Sequence, residues 1–105
     1  MPSAAPGVAE VELSPAARAD LAEIDDFSAD QFGQDVADAY LRGFNDAFAL
    51  LRRHPLAGPA KPELGIGIRC LVHRKHRIFY RCETERVLIV RIIHHARDVR
   101  KLLNS

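Results

Sequence analysis

Two hydrophobic periods divide the chain. Up to Leu51 apolar residues recur at helical spacing, and from Ile66 to Cys82 they alternate with polar ones. Ala17, Leu21, Ile24, Phe27 and Phe32 trace one helical stripe, with Arg18, Asp20, Glu23, Asp25, Asp26 and Asp30 on its wet side. Ser14-Pro15 supplies a start, because serine can cap an orphan N–H and proline suits the first helical position. Gly33 breaks the run. Val36, Tyr40, Phe44, Phe48 and Leu51, widened by Ala37, Leu41 and Ala47, predict a second helix. Arg52 and Arg53 suit its C-terminal dipole, and His54-Pro55 stops it. The short link makes the pair an antiparallel hairpin.

Residues 1–7 carry two prolines, a glycine and no apolar pattern, which predicts a loose end before a single domain spanning 8–105. In VAEVEL, Val11 and Leu13 alternate with Glu10 and Glu12 as in a half-buried strand. HPLAGPAKPELG, rich in proline and glycine, is a connection. In the strand that follows, Ile66, Ile68, Cys70 and Val72 share one face; in the next, Ile78, Tyr80 and Cys82 do. Pairing Val72 with Ile78 and Cys70 with Tyr80 keeps both apolar sets together, whereas a one-residue shift sets Ile68 beside Arg81, so the first register is expected. Glu83–Arg86 is a polar turn. VLIVRII, apolar on both faces apart from Arg91, suits an interior strand, and ARDVRKLLNS a short helix or tail. The expected fold is α+β: a two-layer β-α-α-β-β-β arrangement with the hairpin on one face of a mainly antiparallel sheet.

Charge sharpens this division. Residues 1–68 hold five Lys/Arg against eleven Asp/Glu, and residues 69–105 hold ten against three, with four of the five histidines. Such asymmetry points to an acidic partner, nucleic acid or protein. The expected register sets Arg69, Arg77 and Arg81 on the sheet face away from the helices, with Arg91 joining if its strand is turned likewise. Clustered guanidinium forks make an anion-binding surface. Aromatic content is 7%, with no stripe suited to base stacking. No P-loop, dinucleotide fingerprint or nucleophile elbow is present, and no cofactor is expected.

Cys70, His73, His76 and Cys82 have a C-x2-H-x2-H-x5-C spacing, but Cys70 and His73 point to opposite faces of a strand, so no metal site is expected. The expected register also sets Cys82 diagonal to Cys70 at roughly 7 Å, beyond the about 3.5–4.5 Å of a disulfide, leaving two buried thiols. His94-His95 ends the last strand, with one histidine on each face; beside arginines such a residue can do acid–base work on RNA. No apolar run approaches the roughly 18 residues of a membrane span. MPSAAPGVAEVEL lacks a basic start and an apolar core, so the cytoplasm is the expected location.

The run HRIFYRCETERVLIVRIIHHARDVRKLL resembles the end of ParE-type toxins, in the ParE/RelE superfamily of bacterial type II toxin–antitoxin systems. LSPAARADLAEI, DVADAYLRGF, HPLAG and the R-x-L of Arg69 and Leu71 agree, so the resemblance covers residues 8–103. It implies a toxin neutralised by a ParD-like antitoxin, whose acidic amphipathic segment would meet Leu21, Ile24, Tyr40, Phe44, Phe79 and Arg81. ParE-like members are known as poisons of DNA gyrase, which would make Arg69, Arg77, Arg81, Arg91 and Arg97 the toxicity surface. RelE-like members cleave mRNA on the ribosome. Of their residues this chain matches arginines at Arg77 and Arg97; the strand lysines fall near Ile68 and Cys70, and the C-terminal tyrosine near Leu103. A nuclease would therefore need His94 or His95 as base or acid. Gyrase poisoning is the expected activity, with the nuclease, or a degenerate toxin that only binds its antitoxin, as alternatives.

Overall fold

The computed structural model describes residues 9–103; the loose end expected at 1–7 lies outside the described residues, as does Val8 of the expected first strand. The elements follow the expected order: β1 (Glu10–Leu13), α1 (Pro15–Phe32), α2 (Gln34–Arg53), β2 (Ile68–His73), β3 (His76–Glu83), β4 (Arg86–His94) and α3 (Val99–Leu103). Ser14 caps α1 as its side chain predicts, accepting from Ala17 N–H at 3.0 Å. Gly33, at φ 92°, makes the turn between the helices.

The sheet runs β1-β4-β3-β2; β1 lies parallel to β4, and the other pairs are antiparallel. The strand that is apolar on both faces apart from Arg91 is interior, as expected. Under the hairpin lies the main core: Phe44, Phe48 and Leu51 of α2 and Ala17 of α1 against Ile78, Tyr80, Val87, Ile89 and Ile92. A fully buried side chain of this kind contributes about 1.5–3 kcal/mol.

The expected β2–β3 register is wrong by one residue. Cys70 pairs with Phe79, Leu71 with Ile78 and Ile68 with Arg81. Turn geometry explains the difference: His73 pairs with His76, so Arg74-Lys75 is a two-residue turn with Arg74 at φ 54°. In consequence Leu71, not Val72, packs into the main core, and Val72 is left 67% exposed.

Nor is the far face of the sheet an open arginine surface. Ile68, Cys70, Phe79 and Ile93 form a second buried cluster there, covered by Leu64, Val99, Leu102 and Leu103. A register slip opposite Phe79 and Tyr80 leaves Val90 as an extra residue in β4. This bulge lets Ile89 and Ile92, three apart, both face the main core. Cys70 is buried, but Cys82 is exposed, against the expectation of two buried thiols.

The connection between α2 and β2 is more than a link. Its residues 59–61 cover the edge of β2, with Lys61 N–H donating to Ile68 at 2.8 Å and Cys70 N–H to Pro59 at 3.0 Å. Tyr80 pins it from below, donating its hydroxyl to Pro55 at 2.7 Å and accepting from Gly58 N–H at 2.9 Å.

Candidate functional site

Beyond Leu13 β1 ends, and α1 rises alongside the second half of β4. Ala16, Ala19, Glu23 and Phe27 recur along α1 at helical spacing and line a cleft of about 1040 Å³. The opposite wall is Arg91–His94, Arg97, the Arg74–His76 turn and Tyr40. At the hairpin tip Phe27, Phe32 and Val36 are 63%, 65% and 50% exposed. Three large apolar side chains left in water beside one cleft mark an interaction surface. Its rim carries the cations Arg74, Lys75 and Arg97, and among the described residues its lining acids are Asp20 and Glu23.

Asp20 belongs to the framework, although the helical stripe assigned it to the wet side. It is buried; its two oxygens accept from Arg91 Nε and Nη2 at 2.8 Å each, and one also accepts from Ile92 N–H at 2.8 Å. Arg91 Nη1 reaches the Leu102 carbonyl at 3.3 Å, so one guanidinium ties α1, β4 and α3 together. The hydrogen-bonded carboxylate holds the guanidinium pKa above its ordinary value. Asp20 lies three residues after Ala17 and four before Ile24, on the buried side of α1. That spacing was the available signal.

Histidines floor the cleft. His76 Nδ1 and the Tyr40 hydroxyl lie 2.7 Å apart, and the His76 ring meets His94 edge-on with centroids 5.3 Å apart. Burial pushes the His76 pKa down to about 4, helped by the neighbouring His94, His73 and His95. Burial likewise raises the Tyr40 hydroxyl. His94 stacks on His95 at 4.5 Å, and its Nδ1 accepts from Ala96 N–H at 3.1 Å. That bond occupies the Nδ1 lone pair and leaves Nε2 to face outward.

The five arginines expected on one face are dispersed. Arg69 turns to the helix side and donates to Gly58 at 2.7 Å and Leu56 at 3.2 Å, holding the α2–β2 connection. Arg91 is committed to Asp20. Arg77 and Arg81 share the outer face, with buried Phe79 between them, and Arg77 also donates to the His95 carbonyl at 3.0 Å. Arg97 is exposed on the turn after β4 and lines the cleft. Of the residues expected to meet an antitoxin, Ile24 and Tyr40 line the cleft and Arg81 is exposed. Leu21 packs against the main core. Phe44 and Phe79 are 0% and 1% exposed, so they are core residues and offer no surface. Among the described residues, no helix is long and apolar enough to cross a membrane.

Residues 11–99 match the family model of the ParE toxin of type II toxin–antitoxin systems, parDE. The chain is 40% identical to Toxin ParE1 of Mycobacterium tuberculosis over 88 residues, covering 83% of this chain and 90% of that protein. Toxin ParE1 of Caulobacter vibrioides is 32% identical over 88 residues, covering 84% and 91%. Among solved structures, a chain of the chromosomal ParDE system from P. aeruginosa shares the fold, with a TM-score of 0.72 and 21% identity over 84% of this chain and 97% of that one. A chain of the toxin–antitoxin complex RelBE2 from Mycobacterium tuberculosis superposes with a TM-score of 0.59 and 26% identity, covering 83% and 98%.

Proposed function

Since the chain belongs to the ParE toxin family of type II toxin–antitoxin systems, we propose that it arrests growth by poisoning DNA gyrase in the cytoplasm. On this reading a ParD-like antitoxin neutralises it by seating an acidic amphipathic segment in the cleft between α1 and β4. The observation that carries the antitoxin half is the composition of that cleft. Phe27, Phe32 and Val36 stand exposed beside a rim of Arg74, Lys75 and Arg97. Apolar anchors with complementary charge are what an amphipathic acidic segment requires.

The gyrase half rests on the chain's family and on the shortage of proton-transfer groups. His94 Nδ1 is taken by Ala96 N–H, and His76 lies beside Tyr40 with its pKa pushed down to about 4, so a nuclease would have to rely on exposed His95. With Arg69 and Arg91 held internally, the toxicity surface is reduced to Arg77, Arg81 and Arg97. Supercoiling and DNA-cleavage assays with gyrase, run beside an in vitro translation assay, test this. Lost supercoiling with intact mRNA is expected. Cut mRNA would move the chain to the RelE-like endoribonucleases, and folded protein without growth arrest would make it a degenerate toxin. The double substitution Arg77→Ala/Arg97→Ala should relieve growth arrest by at least about tenfold in surviving cells while the domain stays folded. Unchanged arrest would remove this surface.

A further inference from the structure

The outer flank of α2 carries a pattern that nothing else in the fold uses. Phe44, Phe48 and Leu51 turn into the main core. Away from them Asp35, Ala39, Arg42, Asp46, Ala49 and Arg53 are all exposed. Their spacing alternates between four and three residues, which keeps them on one stripe of the helix, about 27 Å long. The order is acid, small, base, acid, small, base. Reversing it exchanges every acid for a base and leaves the alanines in place. Asp35 and Arg53 are equidistant from Phe44 along the chain, as are Ala39 and Ala49, and Arg42 and Asp46.

Such a stripe is complementary to a second copy of itself laid antiparallel. About a twofold axis at the level of Phe44, Asp35 meets Arg53 of the second copy, Arg42 meets Asp46, and the alanines let the helices approach closely. Parallel pairing would set acid on acid and base on base. The single chain makes little use of these charges: among the described residues none of the four forms an ion pair. Asp35 and Arg53 stand at opposite ends of the helix, out of each other's reach. Their signs suit its dipole, but Arg42 ahead of Asp46 is the less favourable order within one helix. Beside the stripe Val36 and Leu50 are 50% and 42% exposed, and with Val72 and Arg74 they line a groove of about 610 Å³. Their midpoint is one residue from Phe44, so the same antiparallel pairing brings Val36 of each copy close to Leu50 of the other.

We propose that this protein forms a twofold-symmetric homodimer by antiparallel pairing of α2 with α2 of a second copy. Val36 and Leu50 leave water there, and the charge pairs, each occurring twice, fix register and direction. None of the six stripe residues lines the cleft between α1 and β4. Arg77 and Arg81 belong to β3, and Arg97 follows β4, so the surface assigned to toxicity stays open in the dimer. A single helix pair with alanines near its centre makes a small interface, and the dissociation constant should lie at about 1–100 μM.

Sedimentation velocity on the full chain alone, at about 0.15 M salt and protein concentrations from about 1 to 300 μM, tests this. A monomer–dimer equilibrium is expected, and a monomer at every concentration would overturn the proposal. Asp46→Arg and Arg42→Asp should each weaken the dimer by at least about tenfold, because each sets like charges against each other twice across the axis. Both positions are exposed, so circular dichroism should show both variants folded. Mixing the two variants in equal amounts should restore a one-to-one heterodimer, since the two positive side chains of one copy then meet the two negative ones of the other. A mixture that stays monomeric would overturn the pairing, whatever the single variants do. A dimer that survives both substitutions but is lost on Val72→Asp would move the contact to the edge of β2 and overturn it as well.

Discussion

Replacing Arg91 with methionine should cost this domain about 3 kcal/mol, because it leaves a carboxylate buried without its counter-ion. The Asp20 side chain is 10% exposed and Arg91 22%, and two bonds of 2.8 Å join them. Breaking a buried pair from one side costs about 3–5 kcal/mol, and the partial exposure of Arg91 argues for the lower end. Asp20→Asn keeps an acceptor for Ile92 N–H and loses the charge, for about 1.5–3 kcal/mol. The double variant strands neither charge, so it should be more stable than the sum of the singles by about 2 kcal/mol. Urea unfolding followed by circular dichroism reads this directly. With a slope of about 1–1.5 kcal/mol per M, Arg91→Met should lower the midpoint by about 2–3 M. Single effects that add within about 0.5 kcal/mol would refute the idea that the pair acts as a unit.

His76 makes stability depend on pH. Its folded pKa of about 4 lies below the 6.5 of a free histidine, so stability is complete above about pH 6.5. It falls toward pH 4, as the unfolded chain takes up a proton that the folded ring refuses. Allowing for the ring's partial exposure, the loss is about 1–2 kcal/mol, and unfolding at pH 7 and 4.5 should show it shrinking in His76→Gln. Gly58→Ala should destabilise by about 1–3 kcal/mol, because its Cβ would lie 2.6 Å from the Cys70 carbonyl oxygen and 2.9 Å from the Tyr80 ring. An unchanged melting temperature would contradict that packing.

The layer order was legible because three signals agreed: the Ser14-Pro15 cap, the Gly33 break and the change from helical to alternating spacing. The register was not, because Arg74 takes a left-handed φ that glycine or asparagine ordinarily announces. That slip reversed the faces of Arg69 and Leu71, and with them the arginine surface. Val99, Leu102 and Leu103 could be expected to dock, but not that they would cover a second core on the outer face, because the cover is short. Val99, Leu102 and Leu103 lie on a five-residue helix whose sequence reads equally well as a tail. The cleft was half visible: Ile24 and Tyr40 were expected at an interface, but Phe27 and Phe32 fit the buried stripe as well as their actual exposed position. Only the packed structure decides between those two.

The placement of β1 also sets when the fold can close. Its partners are residues 86–89, and those of Asp20 are residues 91 and 92. Neither the first strand nor the first helix can reach its final place until the last fifth of the chain has emerged. At about 5–20 residues per second the nascent toxin spends roughly 5–20 s of synthesis without its sheet. The cleft wall and the Arg91 tie both depend on these late residues. A fragment that stops short of residue 91 therefore has the apolar tip of the hairpin without the wall that faces it.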